Sequence, residues 1–432
     1  MKYIFAFIVS SIVLSSCVEP INKSFTKLPP GIWRGVLVID DKPVIQKQGE
    51  EFVEKTDFSG ELPFSFEVKY TSEEDFYIEV RNGEERIKVS DIIYGRDRAT
   101  AKDTIEVHFR DFDTYISAIY EDDIMEGFWH VNYKDGYSIP FKGYHGKSHR
   151  FTTLKKVPTA DLTGRWEVNF EVGTEDEYPA IGDFEQNGNQ ITGTFMTETG
   201  DYRYLEGTVQ ANKFSLSTFD GAHAFLFDGK ILDDDTVIGS FKSGNHYTST
   251  WEGKRNPDAK IGNAFEMTTS KIKNETFNFT FDNLEGTPIS LSDKRFENKI
   301  KLVKLTGTWC PNCKDESKFL KDYIANNPSE DIEVIEVAFE RYKEPAKAIK
   351  VLKRYKKKLD LPFTMLYGGY ADKSITSEKF PQISKVISYP TLIFVDKENK
   401  IRKVHTGFAG PATADFPQFK RDFDTIIKEM RS

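Results

Sequence analysis

The sequence predicts a multidomain chain: two all-β antiparallel modules, each a barrel or a sandwich, followed by one α/β domain. Three observations carry this reading. The chain has 432 residues, too many to close around a single hydrophobic core. Residues 31 to 256 hold short runs of alternating polarity, rich in Gly and aromatic residues, with no sustained helical periodicity. From about residue 270, strand-like apolar runs alternate with helical stretches.

Residues 1–17 read MKYIFAFIVSSIVLSSC: one lysine, an apolar run from Tyr3 to Leu14, then small residues before Cys17. This is an export signal, too short for a stable membrane span. Its ending, Leu14-Ser15-Ser16-Cys17, resembles the bacterial lipobox, in which the cysteine is acylated and becomes the mature N-terminus. That resemblance implies a bacterial lipoprotein facing the periplasm and held to the bilayer through Cys17, on either membrane. An ordinary signal peptide with an incidental cysteine is the alternative. Residues 18–30, with Pro20, Pro29 and Pro30, read as a tether.

The β region contains a repeat. Ala118 to Trp129 aligns without a gap with Lys230 to Phe241, and Tyr137 to Gly143 pairs with Tyr247 to Gly253. Gly31-Ile32-Trp33 resembles Gly164-Arg165-Trp166, and Pro63 with Phe66-Glu67 echoes Pro179 with Phe184-Glu185. Two modules of related fold are therefore expected, 31–148 and 160–256, serving as spacer or docking platform, or holding a small ligand between inward aromatics. His145 and His149 lie four apart, but in a Gly-containing loop, which makes a poor metal site.

The α/β domain spans 270–432. Its strands are expected at 299–305, 332–339, 363–367, 391–395 and 401–406, and its helices at 310–324, 345–359, 374–386 and 414–430. Trp309-Cys310-Pro311-Asn312-Cys313 stands where the first strand hands over to the first helix. A CxxC pair fits a zinc half-site, a haem-attachment site, a structural disulfide or a redox dithiol. With three cysteines in the chain no second CxxC completes a zinc site, and no His follows Cys313 for haem. A bridge across so few residues is a poor staple, which leaves redox chemistry as the favoured use. If Cys17 is lipidated, Cys310 and Cys313 are the mature chain's two thiols, in a compartment where disulfides persist. The net charge of −9 argues against a nucleic-acid partner. The lysine-rich run from 347 to 358 is the solvated face of an amphipathic helix with Ile349, Leu352, Tyr355 and Leu359 on its apolar side.

Residues 280 to 432 resemble the TlpA/ResA branch of thioredoxin-like thiol-disulfide oxidoreductases, in the WCPNC motif after an apolar strand, in Cys313-Lys314-Asp315-Glu316, and in Tyr389-Pro390-Thr391-Leu392-Ile393-Phe394-Val395-Asp396. The resemblance implies a thioredoxin-like fold and exchange of disulfides with protein substrates. No cofactor beyond a redox-active Cys310–Cys313 disulfide is expected, and no metal. A membrane-embedded electron donor or acceptor is an expected partner, with reduction of substrate disulfides the favoured direction.

Each residue has a physical task. Cys310 at a helix start is the attacking sulfur, because unpaired N–H groups and the helix dipole stabilise a thiolate. Pro311 is tolerated in the first turn. Cys313, one turn further in, is the resolving thiol. Glu316 shares a helical stripe with Cys313, Leu320 and Tyr323 and has no basic neighbour at i+3 or i+4, whereas Asp315 has Lys318. A partly buried Glu316 has a raised pKa and serves as acid/base for Cys313. Thioredoxin's buried aspartate, six residues before the first cysteine, is Lys304 here, expected as a snorkelling structural lysine. By resemblance, Pro390 is cis and the Tyr389 backbone pairs with an extended substrate; Trp309, Pro311 and Asn312 complete the groove.

Two other activities compete. Peroxiredoxins share the fold, but their Pro-x-x-x-Thr-x-x-Cys pattern has Val303 and Gly307 at the proline and threonine positions here. A binding or assembly lipoprotein with a redox-sensing domain is the other.

Overall fold

The structure, a computed structural model, describes residues 25, 27–39, 60–272 and 275–431. Cys17 and its lipobox lie outside the described residues.

The first module is one antiparallel sheet of nine strands, from Gly31–Val38 to Ser138–His145. Its two edge strands, Glu85–Val89 and Ile92–Arg96, follow one another in the chain without pairing, so the sheet curls but stays open. In the second module Tyr178–Asn187 pairs with both Gly164–Phe170 and Gln190–Thr197, which closes eight strands into a barrel. A two-residue strand, Gly200–Asp201, is appended to it. Alternate residues of each strand point inward, and aromatic side chains fill both interiors: Trp33, Phe64, Trp129 and Phe141 in one, Trp166, Phe195, Phe227 and Trp251 in the other.

The repeat is structural. The Trp33 indole donates to the Pro29 carbonyl at 3.2 Å, and the Trp166 indole to the Leu162 carbonyl at 2.9 Å, each four residues back. Gly127 and Gly239, matched in the alignment, share a reason for being glycine. An added Cβ would lie 1.9 Å from the Ser117 carbonyl oxygen and 2.2 Å from that of Asp228. Pro63 and Pro179 also correspond, each paired three residues beyond the shared tryptophan, with Val36 and Asn169. The Phe-Glu echo is out of register, however. Phe66 lies opposite Trp33, whereas Gly182, not Phe184, lies opposite Trp166. A two-residue offset keeps a strand residue on the same face, so polarity patterning does not detect it.

The α/β domain carries a seven-stranded sheet. From one edge its order is Pro288–Ser290, Thr280–Asn283, Thr364–Tyr370, Ile332–Glu340, Ile300–Thr306, Thr391–Val395, Ile401–Thr406. Ile300–Thr306 and Ile332–Glu340 run parallel, and Thr391–Val395 antiparallel to the former. Helices α1 (Pro311–Asn326), α2 (Pro345–Leu359), α3 (Lys373–Lys379) and α4 (Phe416–Arg431) complete the domain. The first two strands were not legible in the sequence because both are short and partly exposed. The helix expected over 374–386 stops at Lys379: Pro381 disfavours helical geometry for Phe380, which sits at φ −124° and ψ 63°.

The modules do not stand off as a spacer. Charged residues beside the active motif bind them to the α/β domain. Asp111 of the first module pairs with Lys314 and, at 2.8 Å, with Lys358. Asp113 accepts from Arg354 at 2.7 Å and from the Tyr342 hydroxyl. Arg203 of the second module pairs with Asp315 and, at 2.8 Å, with Glu85 of the first.

Candidate active site

A fully buried strand, Ile300–Thr306, delivers the chain through Gly307, Thr308 and Trp309 to Cys310, which caps the N-terminus of α1. Cys310 has extended backbone, φ −108° and ψ 107°, and its sulfur accepts from the Cys313 N–H at 3.1 Å. Pro311 opens the helix. Cys310 and Cys313 form a disulfide with Cα atoms 5.2 Å apart. Cys310 is 7% exposed and Cys313 fully buried, so an incoming sulfur meets Cys310 first.

The Tyr389–Pro390 peptide bond is cis, the isomer the family resemblance implied. The Tyr389 carbonyl lies 3.5 Å from the Cys310 sulfur, which places that backbone beside the disulfide. Trp309 is half-buried. Its indole donates to the Phe339 carbonyl at 2.9 Å, its ring meets Tyr389 edge-on at 5.6 Å, and the Arg341 guanidinium sits 4.1 Å above it.

Glu316 is fully buried in α1, one turn beyond Cys313, and neither carboxylate oxygen has a hydrogen-bond partner among the described residues. Burial pushes its pKa up to about 8 against the opposing pull of Lys304. Lys304 does not snorkel. It is 0% exposed, because its strand lies at the centre of the sheet. Its ammonium donates to the Cys313 carbonyl at 2.6 Å, to Ser317 Oγ at 2.5 Å and to Glu336 at 3.1 Å, with Glu316 4.0 Å away. A buried lysine tied to the carbonyl of one cysteine and facing two carboxylates is a proton and charge network directly beneath the disulfide.

Asp315 also departs from expectation: it pairs with Arg203 from the second module, not with Lys318. Another acid escaped the sequence reading. Glu340, nearly fully buried at the end of Ile332–Glu340, accepts from the Thr308 N–H at 2.8 Å and its hydroxyl at 2.7 Å, fixing the loop that carries Trp309. Burial raises its pKa to about 7, against those hydrogen bonds. The one sequence signal was an acid closing the apolar run Val337-Ala338-Phe339.

The largest surprise is a hairpin of the second module, around Thr199–Asp201, laid over the active loops. The Ser388 hydroxyl donates to the Thr199 carbonyl at 3.1 Å, Asn312 Nδ2 to the Asp201 carbonyl at 3.2 Å, and the Gly410 N–H to Asp201 Oδ2 at 2.7 Å. It thus touches the CxxC turn, the cis-proline loop and the Gly407–Gly410 loop together. Asn312, expected in an open substrate groove, is already occupied by the protein's own backbone.

Residues 272–404 match the AhpC/TSA family. The same region is similar to ResA, named a thiol-disulfide oxidoreductase, from Bacillus thuringiensis and Bacillus cereus: 26% identity over 133 residues, 30% of this chain and 67% of each relative. Similar solved structures are a thiol-disulfide oxidoreductase from Bacteroides fragilis, at 18% identity and TM-score 0.26 over 34% of this chain and 97% of that one, and StoA from Bacillus subtilis, at 18% and 0.25 over 34% and 98%. The matched segment contains Cys310, Cys313, Glu316, Lys304, Tyr389 and Pro390. The covering hairpin and both β modules lie outside it.

Proposed function

We propose that this chain is a lipid-anchored periplasmic thiol-disulfide oxidoreductase that exchanges disulfides with protein substrates through Cys310 and Cys313. The observation that carries the reading is the capping of α1 by Cys310. Its sulfur faces the first N–H groups of the helix and is the more exposed of the pair, the arrangement that stabilises a thiolate. In the reductive direction, the Cys310 thiolate attacks a substrate disulfide, one substrate sulfur leaves as a thiolate, and a mixed disulfide forms. Cys313 then attacks Cys310, releases the second substrate sulfur and closes the enzyme disulfide. Cys313 must lose a proton for this step, and the ionised form of Glu316, whose pKa burial raises to about 8, is the base placed to take it. Tyr389 and Pro390 offer the backbone edge for substrate beside the sulfur. Cys17 supplies the lipid anchor, and a membrane-embedded donor or acceptor of electrons resets the pair.

Replacing Cys310 by Ser abolishes turnover of a disulfide substrate in this reading, while Cys313→Ser accumulates a mixed disulfide visible on a non-reducing gel. Unchanged turnover in both variants would sink it. The match to the AhpC/TSA family favours one second reading, a thiol peroxidase. Val303 and Gly307 replace the peroxiredoxin proline and threonine, so peroxide consumption is expected to be negligible beside disulfide exchange.

A further inference from the structure

The hairpin covers the CxxC turn and the cis-proline loop, while Trp309, the residue before Cys310, lines a recess outside that cover. The two modules and the redox domain enclose this recess, of about 750 Å³. Each body contributes: Trp309 and Arg341 from the redox domain, Lys134 and Tyr137 from the first module, Tyr202 and Tyr247 from the second. Trp309 directly precedes Cys310, so a chain lying in the recess and crossing this indole arrives at the disulfide.

The recess has a charge of its own. No Asp or Glu lines it among the described residues, in a chain whose net charge is −9. The Arg341 guanidinium rests 4.1 Å over Trp309 and the Lys134 ammonium 4.7 Å over Tyr137, each held by an aromatic face, and neither is paired with a carboxylate among the described residues. Three acids lie next to it, each already engaged: Glu171 accepts from the hydroxyl of the lining Tyr247 at 2.6 Å, Asp220 faces the lining His223 and Arg203 at 3.4 Å, and Glu340 is bonded to Thr308. Burial and the neighbouring Arg341 hold Lys134 below its ordinary pKa, so the two cations repel one another. His246, pushed down to about 4 by burial and by Lys134 and His223, adds no positive charge at neutral pH.

We propose that this recess is the substrate-recognition subsite: it takes an acidic, aromatic-bearing segment of the polypeptide that flanks the reacting cysteines. The segment's carboxylate sits between Lys134 and Arg341, its ring packs among the tyrosines, and its cysteine is presented across Trp309. This rests on the disulfide-exchange reading above. The β modules, outside the family segment, then select the substrate on which the family chemistry acts.

The test uses the full chain in its disulfide form and two dithiol peptides that differ in their flanks, Asp-Tyr-Glu against Lys-Tyr-Lys. A peptide thiolate attacks the enzyme disulfide, one enzyme sulfur leaves, and the second peptide thiol displaces the other. The peptide is oxidised to its disulfide and the enzyme pair gains the two electrons and two protons. Single-turnover rates against peptide concentration are expected to show half-saturation about tenfold lower for the acidic peptide, a preference that collapses near 1 M salt. Lys134→Glu with Arg341→Glu reverses the preference, and Lys134→Gln reduces it. Equal half-saturation in the wild-type chain, or a preference that survives high salt, overturns the recess as recognition site while leaving disulfide exchange standing. Failure of the wild-type chain both to oxidise the dithiol peptides and, once reduced, to reduce their disulfide forms overturns the exchange reading itself.

Discussion

Asn312, between the two cysteines of the redox pair, donates from Nδ2 to the backbone carbonyl of Asp201 at 3.2 Å. One residue earlier, Gly200 is at φ +142°, and a Cβ there would stand 2.3 Å from the same Asn312 nitrogen. A glycine is required for the second module to lie this close to the CxxC turn.

Gly200→Val is therefore expected to lift the hairpin. A loss of about 1 kcal/mol in docking corresponds to about a fivefold change in the closed-to-open ratio. The second-order rate of disulfide reduction by dithiothreitol should rise by a similar factor. A rate equal to that of the wild-type chain would show that the hairpin does not shield Cys310.

Glu316→Gln removes the acid beneath Cys313. Release from the mixed disulfide is expected to slow by about a hundredfold, and the limb of its pH profile near 8 should vanish. Stability responds with a definite sign. The folded pKa of about 8 lies above the ordinary 4.5, so the native state binds more protons in that interval and stability falls as pH rises from 4.5 through 8. Denaturant titrations at pH 5 and pH 9 should show this decline in the wild-type chain and less of it in the variant.

Lys304→Met leaves Glu336 without its buried counter-charge. A loss of about 3–5 kcal/mol is expected in urea unfolding, partly recovered by adding Glu336→Gln. The recovery separates loss of charge balance from poor packing of the new side chain.

Arg203 is buried among Glu85 at 2.8 Å, Asp220 at 3.4 Å and Asp315. Arg203→Met removes the cation shared by Glu85 and Asp315, leaves Asp220 to His223, and should free the modules from α1. Limited proteolysis is the readout, with cleavage expected between the β region and the redox domain. A digestion pattern identical to wild type would mean that Asp111 and Asp113 suffice to hold the docking.

Much of the redox domain was legible because its signals are local. Helix α2 carries its apolar residues at helical spacing and shows the bounds expected, Pro345–Leu359. The Cys310 cap, the stripe that aims Glu316 inward and the matched glycines of the two β modules are likewise short-range patterns. Lys304 was misread because a lysine between apolar residues looks the same whether its ammonium reaches solvent or three buried oxygens. Strand order makes that difference.

The sequence by itself determined where the redox pair sits, that it opens a helix, and that two related β modules precede it. Each follows from residue type and spacing within a few turns or strands. Only the tertiary structure decided what surrounds the pair. Asp201 meets Asn312 from 111 residues away, and Arg203 meets Asp315 from 112. Contacts at that separation depend on how barrels and sheet pack, and they leave no periodic trace in the chain that makes them.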